Sequence, residues 1–161
     1  MERTETQQLI QKMRRMPHCS VIRPTDQTIG NTTNVAVDFT ASATVTDTHE
    51  MFATASSSIL TVQLPGLYLL EGYVYWAQDA DGTRLLWIEV DDAMVVATRT
   101  PATDTLYYQN VACTASLTAG QVIDMWVRHN AGADLVLTAG NNAPRLAATW
   151  LRPTQIGRAH V

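Results

Sequence analysis

The segment Leu67–Ala77 constrains the fold of this chain most, because it is apolar at odd and even positions alike. Successive side chains of a strand point to opposite faces. Leu67, Leu69, Tyr73 and Tyr75 therefore share one face, and Tyr68, Leu70, Val74 and Trp76 share the other. A two-layer sandwich buries only one face of each sheet, so a strand with two apolar faces needs a second cover. Leu106, Tyr107 and Tyr108 open another strand of the same kind. Side by side, two such strands make a contiguous aromatic patch suited to a subunit interface. A cover of the chain's own loops or terminal helix is the alternative.

The rest of the pattern places this strand in an all-β, two-sheet antiparallel sandwich. The 161 residues are 46% hydrophobic and 16% charged, enough for one core-bearing domain. Thr and Val are abundant, and their branched side chains suit pleated strands. Short apolar runs predict strands at Cys19–Arg23, Val35–Thr40, Ile59–Leu64, Leu67–Ala77, Arg84–Val90, Met94–Thr98, Leu106–Leu117, Gln121–His129, Leu135–Ala139 and Leu146–Leu151. Ile123, Met125 and Val127 alternate with Asp124 and Arg128, which predicts one core face and one wet face. Asp81-Gly82, Asp91-Asp92, Ala119-Gly120, Gly132 and Gly140-Asn141-Asn142 supply turns, with a tight hairpin at Asp79–Thr83. The Thr- and Ser-rich stretch from Thr40 to Ser58 reads as a long surface loop.

The two ends read differently. Residues 1–17 read as a short amphipathic helix: Thr4 and Gln7 have the spacing of a capping box, Leu9, Ile10, Met13 and Met16 would fall on one face, and Pro17 would end it. So short a helix is marginal alone and needs a surface to dock on, so the expectation is an anchor. The sandwich then occupies 18–153 and a tail 154–161. No apolar core precedes a small-residue cleavage site, and no run approaches the roughly 20 apolar residues of a membrane span. The chain is therefore expected to be made in a host cytoplasm without a signal peptide and to have no membrane partner.

From about Val35 to Arg152 the sequence resembles the jelly-roll head of complement component 1q and its tumour-necrosis-factor relatives. Leu64-Pro65-Gly66-Leu67-Tyr68 followed by Gly72-Tyr73-Val74 is similar to that family's Pro-x-Gly-x-Tyr turn and central strand. Leu117-Thr118-Ala119-Gly120-Gln121-Val122-Ile123 is similar to its Leu-x-x-Gly-Asp-x-Val segment, with Gln121 in place of Asp. Trp150-Leu151 lacks the family's Phe-x-Gly spacing, and no collagen-like stalk is present. The resemblance implies a jelly-roll sandwich and threefold assembly, and it does not imply an immune role.

Chemistry-bearing patterns are few. His18, His49, His129 and His160 form no His-x-His pair, and no Glu is spaced to complete a metal cage, so no metal or other cofactor is expected. His129 reads as a strand-end or interface residue. Asp79-Ala80-Asp81-Gly82-Thr83 lacks the closing Glu of a calcium loop. No nucleophile elbow or phosphate loop occurs, so no enzyme is expected. Cys19 and Cys113 read as small buried thiols, with a disulfide as the alternative. Trp76, Trp87 and Trp126 read as core or interface, Trp87 being the best exception as a sugar-stacking ring because it shares a face with Glu89. A net charge of −4 disfavours nucleic acid as a partner.

These features together predict a homotrimeric structural protein of a bacteriophage particle, a capsid decoration or minor capsid protein. Tyr68, Tyr73, Tyr75, Tyr107 and Tyr108 would form the trimer interface, and Leu9, Ile10, Met13 and Met16 would grip the major capsid protein or another virion protein. The alternative is the head of a phage fibre that binds a host receptor or glycan.

Overall fold

The computed structural model describes residues 16–40, 43–105 and 107–154. Leu9, Ile10 and Met13 lie outside these residues, as does the tail beyond Thr154. Twelve strands are described: β1 (His18–Ile22), β2 (Gln27–Ile29), β3 (Val35–Ala36), β4 (Ala43–Asp47), β5 (Ile59–Thr61), β6 (Gly66–Trp76), β7 (Asp79–Val90), β8 (Ala93–Thr103), β9 (Tyr107–Leu117), β10 (Val122–His129), β11 (Leu135–Leu137) and β12 (Arg145–Arg152). They form two antiparallel sheets packed as a jelly roll.

The larger sheet is built on β6. That strand pairs with β9 along one edge, and with β12 and then β11 along the other. β1 and β4 continue the sheet beyond β12, and β2 lies beyond β11. In the smaller sheet β10 pairs with β7, which pairs with β8, while β3 and β5 share the other edge of β10. The core lies between the sheets. Tyr68, Leu70, Val74 and Trp76 face it from β6, and Ile123, Met125 and Val127 face it from β10, as alternation requires.

The turn joining Leu64 to Tyr68 has a specific physical basis. A Cβ at Gly66 would stand 2.0 Å from Trp150 Nε1 and 2.7 Å from the Arg152 carbonyl oxygen, so only glycine fits. Trp150 Nε1–H donates to the Pro65 carbonyl (3.2 Å), and the Tyr68 hydroxyl donates to the Leu64 carbonyl (2.7 Å). The closing strand is thereby fastened to the start of the central one.

Three expectations need correction. Asp79–Thr83 is not a hairpin: β6 and β7 belong to different sheets, and Gly82, with φ of +75°, sits at a register shift where β7 bulges against β8. The stretch from Thr40 to Ser58 contains β4 and a one-turn 3-10 helix at Thr54–Ser56. The Asp47 carboxylate ends β4 by accepting from the backbone N–H groups of His49, Met51 and Phe52. The strand expected at Val35–Thr40 is regular only at Val35–Ala36, although the Val37 N–H still donates to the Met125 carbonyl and the Phe39 N–H to the Ser57 carbonyl.

The turns elsewhere follow their chemistry. Asp91 and Asp92 have φ of +50° and +64° and link β7 to β8. The Asp91 carboxylate also accepts from Val122 N–H and from Gln121 Nε2–H, both at 2.9 Å. An aspartate at position 121 would bring a second carboxylate to Asp91, so glutamine there matches this chain's own hairpin.

Candidate functional site

The outward face of the larger sheet carries the aromatic cluster. Register places Tyr75 directly opposite Tyr108, and Tyr73 opposite Asn110 on one side and Arg145 on the other. Tyr108 lies over both neighbours, its ring centroid 5.5 Å from that of Tyr73 and 5.7 Å from that of Tyr75. The Arg145 guanidinium sits 5.6 Å from the Tyr73 ring centre, and Arg145 Nε is buried without a hydrogen-bond partner. Tyr108 is 46% exposed. Partial burial against its two tyrosine neighbours raises the pKa of its phenol. Below this cluster the face becomes small and polar, with Ala112 opposite Glu71 and Thr114 opposite Leu69.

Two of the five expected interface tyrosines are not part of this face. Tyr68 is fully buried in the core, where burial pushes its hydroxyl up to about 12. Tyr107 stands opposite Trp76 and packs half-buried against the core. Adjacent strand residues cannot share a face, so Tyr107 and Tyr108 had to part. Of the expected anchor residues only Met16 is described. It is 61% exposed, and its carbonyl accepts a hydrogen bond from the Thr48 hydroxyl (3.2 Å).

No protein-family model and no curated protein sequence matches the chain. Solved structures do. The structure of Eiger TNF from S. frugiperda matches with a TM-score of 0.67 and 13% identity, covering 91% of this chain and 99% of that one. Murine APRIL matches at 0.65 and 15%, covering 85% and 100%. The globular domain of zebrafish complement 1qA protein matches at 0.59 and 14%, covering 86% and 99%. The fold is that of the TNF and complement 1q heads.

Within this TNF- and 1q-like jelly roll, one end of the sandwich holds a buried polar cluster that sequence reasoning missed. The Trp76 indole N–H donates to Gln109 Oε1 (3.0 Å), and Gln109 Nε2 donates to the carbonyls of Arg84 and Thr98 (both 3.1 Å). Gln109 thus ties β9 to β6, β7 and β8. Arg84, 1% exposed, lies 5.8 Å from the Trp76 ring centre and donates to the Asp79 and Asp81 carbonyls. His129 meets Trp76 edge-on; its Nε2 lies 2.8 Å from the Ile29 carbonyl, and its Nδ1 accepts from Ala131 N–H. That pairing requires the proton on Nε2, so His129 is a buried strand-end residue. Neither cysteine forms a disulfide, and burial pushes the Cys19 thiol up to about 12.

The smaller sheet's outward face departs from the expected wet surface. Trp87 is 3% exposed, stacks on Trp126 at 6.2 Å and donates to Glu89 Oε1 (2.6 Å), so its ring is not available to a sugar. Asp124, opposite Glu89, is 8% exposed, and its Oδ1 is buried without a hydrogen-bond partner. Burial pushes this carboxyl up to about 6; the Trp126 indole opposes the rise, and the charges of Glu89 and Asp92 add to it. Among the described residues, no three His, Cys, Asp or Glu side chains are grouped to hold a metal.

Proposed function

We propose that three copies of this chain assemble through the outward face of the larger sheet into a homotrimer without catalytic function. We further propose that the trimer is a structural part of a bacteriophage particle. The observation that carries the assembly is the Tyr73, Tyr75 and Tyr108 cluster with Arg145 beside it. Tyr108 is exposed and Tyr73 and Tyr75 beside it are half-buried, which gives a subunit interface contiguous aromatic area to bury. The threefold arrangement accords with the resemblance to complement 1q heads.

The virion role is supported by the sequence pattern of residues 1–17, where Leu9, Ile10, Met13 and Met16 recur at the spacing of one helix face and so suit an anchor. In this reading Leu9, Ile10, Met13 and Met16 hold the trimer on the major capsid protein or another virion protein, and the jelly roll projects. Sedimentation of the full chain tests the assembly. A trimer at micromolar concentration is expected, and a stable monomer there overturns it. Particle loading tests the placement: the chain should co-sediment with purified virions, and a variant lacking residues 1–16 should not.

A further inference from the structure

A second face points to a ligand. On the outward side of the smaller sheet, Arg128 of β10, Leu85 of β7 and Arg99 of β8 stand in one row, because Arg128 pairs with Leu85 and Leu85 with Arg99. Two strand spacings separate the arginine backbones by about 9.5 Å, with Leu85 between them, and the Arg99 guanidinium lies 3.5 Å from the Thr83 hydroxyl on the same face. A cleft of about 180 Å³ lies here, lined by Thr83, Leu85, Arg99, Arg128, His129 and Asn130.

The lining is rich in donors and contains no carboxylate. Both arginines are exposed, and neither forms an ion pair among the described residues. Among the described residues the Arg99 guanidinium makes a single long contact, 3.5 Å, to the Thr83 hydroxyl. Asn130 Oδ1 accepts from the Thr83 N–H (2.6 Å) and hydroxyl (3.1 Å), which fixes its side chain and leaves its NH₂ group without a partner among the described residues. Both ring nitrogens of His129 are already engaged, with the Ile29 carbonyl and the Ala131 N–H. In a protein of net charge −4, two neighbouring guanidinium groups without a counter-ion form a local site for an anion.

We propose that this cleft binds the oxyanion of an acidic saccharide, a carboxylate or sulfate held between Arg99 and Arg128. The Asn130 NH₂ group would donate to it or to a neighbouring hydroxyl. Guanidinium groups match such planar or tetrahedral oxyanions with paired donors. Leu85 supplies an apolar floor, and Trp126, two residues before Arg128, lies half-buried on the same face of the sheet. At about 180 Å³ the cleft is smaller than a pocket that encloses a whole drug-sized ligand, so it suits the charged group of a sugar rather than an enclosed molecule. A nucleic acid, with charge repeated along its length, would meet the repulsion of the rest of the molecule. The site lies on the sheet opposite the tyrosine cluster, so it needs no trimer.

Calorimetric titration of the full chain with sialyllactose, sulfolactose, lactose and inorganic phosphate tests the assignment. Binding of sialyllactose or sulfolactose, with none of lactose, is expected, and the affinity should fall as salt rises. Arg99→Gln and Arg128→Gln should each weaken binding about tenfold, as loss of a charge-assisted contact does. Arg152→Gln, at an exposed arginine on the other sheet, should leave binding unchanged. Three results overturn the proposal: no binding of either acidic sugar at millimolar concentration, undiminished binding by both cleft variants, or phosphate binding as tightly as the sugars. Unchanged sedimentation of both cleft variants confirms intact assembly and separates failure here from failure of the trimer.

Discussion

Tyr108 of β9 stands directly across from Tyr75 of β6, their ring centroids 5.7 Å apart, on the side of the larger sheet turned away from the core. Tyr68, on the same strand as Tyr75, points the opposite way and is wholly buried. This opposition separates assembly from folding. Tyr108→Ser should weaken self-association by on the order of 2 kcal/mol, about thirtyfold, as truncation of a central interface aromatic does. Its circular dichroism should stay that of the parent. Tyr68→Ala should instead cost about 3–5 kcal/mol of folding stability. Equilibrium sedimentation and denaturant melts of the two variants check the contrast. If Tyr108→Ser sediments as the parent does, the face is not the interface.

Gln109 occupies a position where a strand in a sandwich would ordinarily present an apolar side chain. It is 2% exposed, and its amide is shared between the Trp76 indole and carbonyls of the smaller sheet. Gln109→Leu keeps the approximate volume but leaves the indole N–H and two carbonyls without this partner. A loss of about 2–4 kcal/mol is expected, since buried polar groups stripped of a partner bear their full desolvation cost. A urea melt monitored by tryptophan fluorescence measures it. Stability equal to the parent would show that the amide is not what joins the sheets at this end.

How far the sequence could be read follows from the range of the interactions involved. Alternation identified the core side of β10, because Ile123, Met125 and Val127 obey a period of two that depends on local geometry alone. The two apolar faces of β6 were equally plain. Which of Tyr107 and Tyr108 turns inward was not, because that depends on where the opposing sheet lies. Asp81-Gly82 has the composition of a hairpin turn, and a bulge uses the same positive φ, so only the change of sheet after Trp76 distinguishes them. Asp124 reads as a residue of the wet face, and nothing local to Arg84 or Gln109 signals burial. Their burial rests on partners distant in the chain, such as the Thr98 carbonyl for Gln109. The arginine cleft likewise arises from the register of β7, β8 and β10, since Arg99 and Arg128 meet only through Leu85.

Gly66 gives a sharp test of the fastening between β6 and β12. A methyl group there would occupy the place of Trp150 Nε1 and press on the Arg152 backbone. Gly66→Ala should break the Trp150 bond to Pro65 and cost about 1–3 kcal/mol, the range for overpacking a filled site. Gly120→Ala offers a comparison, since a Cβ there meets open space and only the positive φ of +90° is strained. Thermal melts should rank Gly66→Ala well below the parent, with a shifted tryptophan emission that Gly120→Ala does not show. Parent-like emission from Gly66→Ala would mean that Trp150 does not sit over this glycine.

Asp124 ties stability to pH through its position between Glu89 and Ile59 in the smaller sheet. Its carboxyl titrates at about 6 in the folded protein, chiefly because burial disfavours the charge. The same group in an unfolded chain titrates near 3.9. Between about pH 4 and pH 6 the folded state therefore holds a proton that the unfolded state has released, and stability falls as pH rises through this window. Above it the buried carboxylate costs roughly 3 kcal/mol. Asp124→Asn removes the charge while keeping the shape. The variant should match the parent at about pH 4 and exceed it by roughly 2–3 kcal/mol at about pH 7. Chemical denaturation of both proteins across this range checks the sign as well as the size. Parallel curves for the two proteins would show that Asp124 carries no excess proton in the folded state.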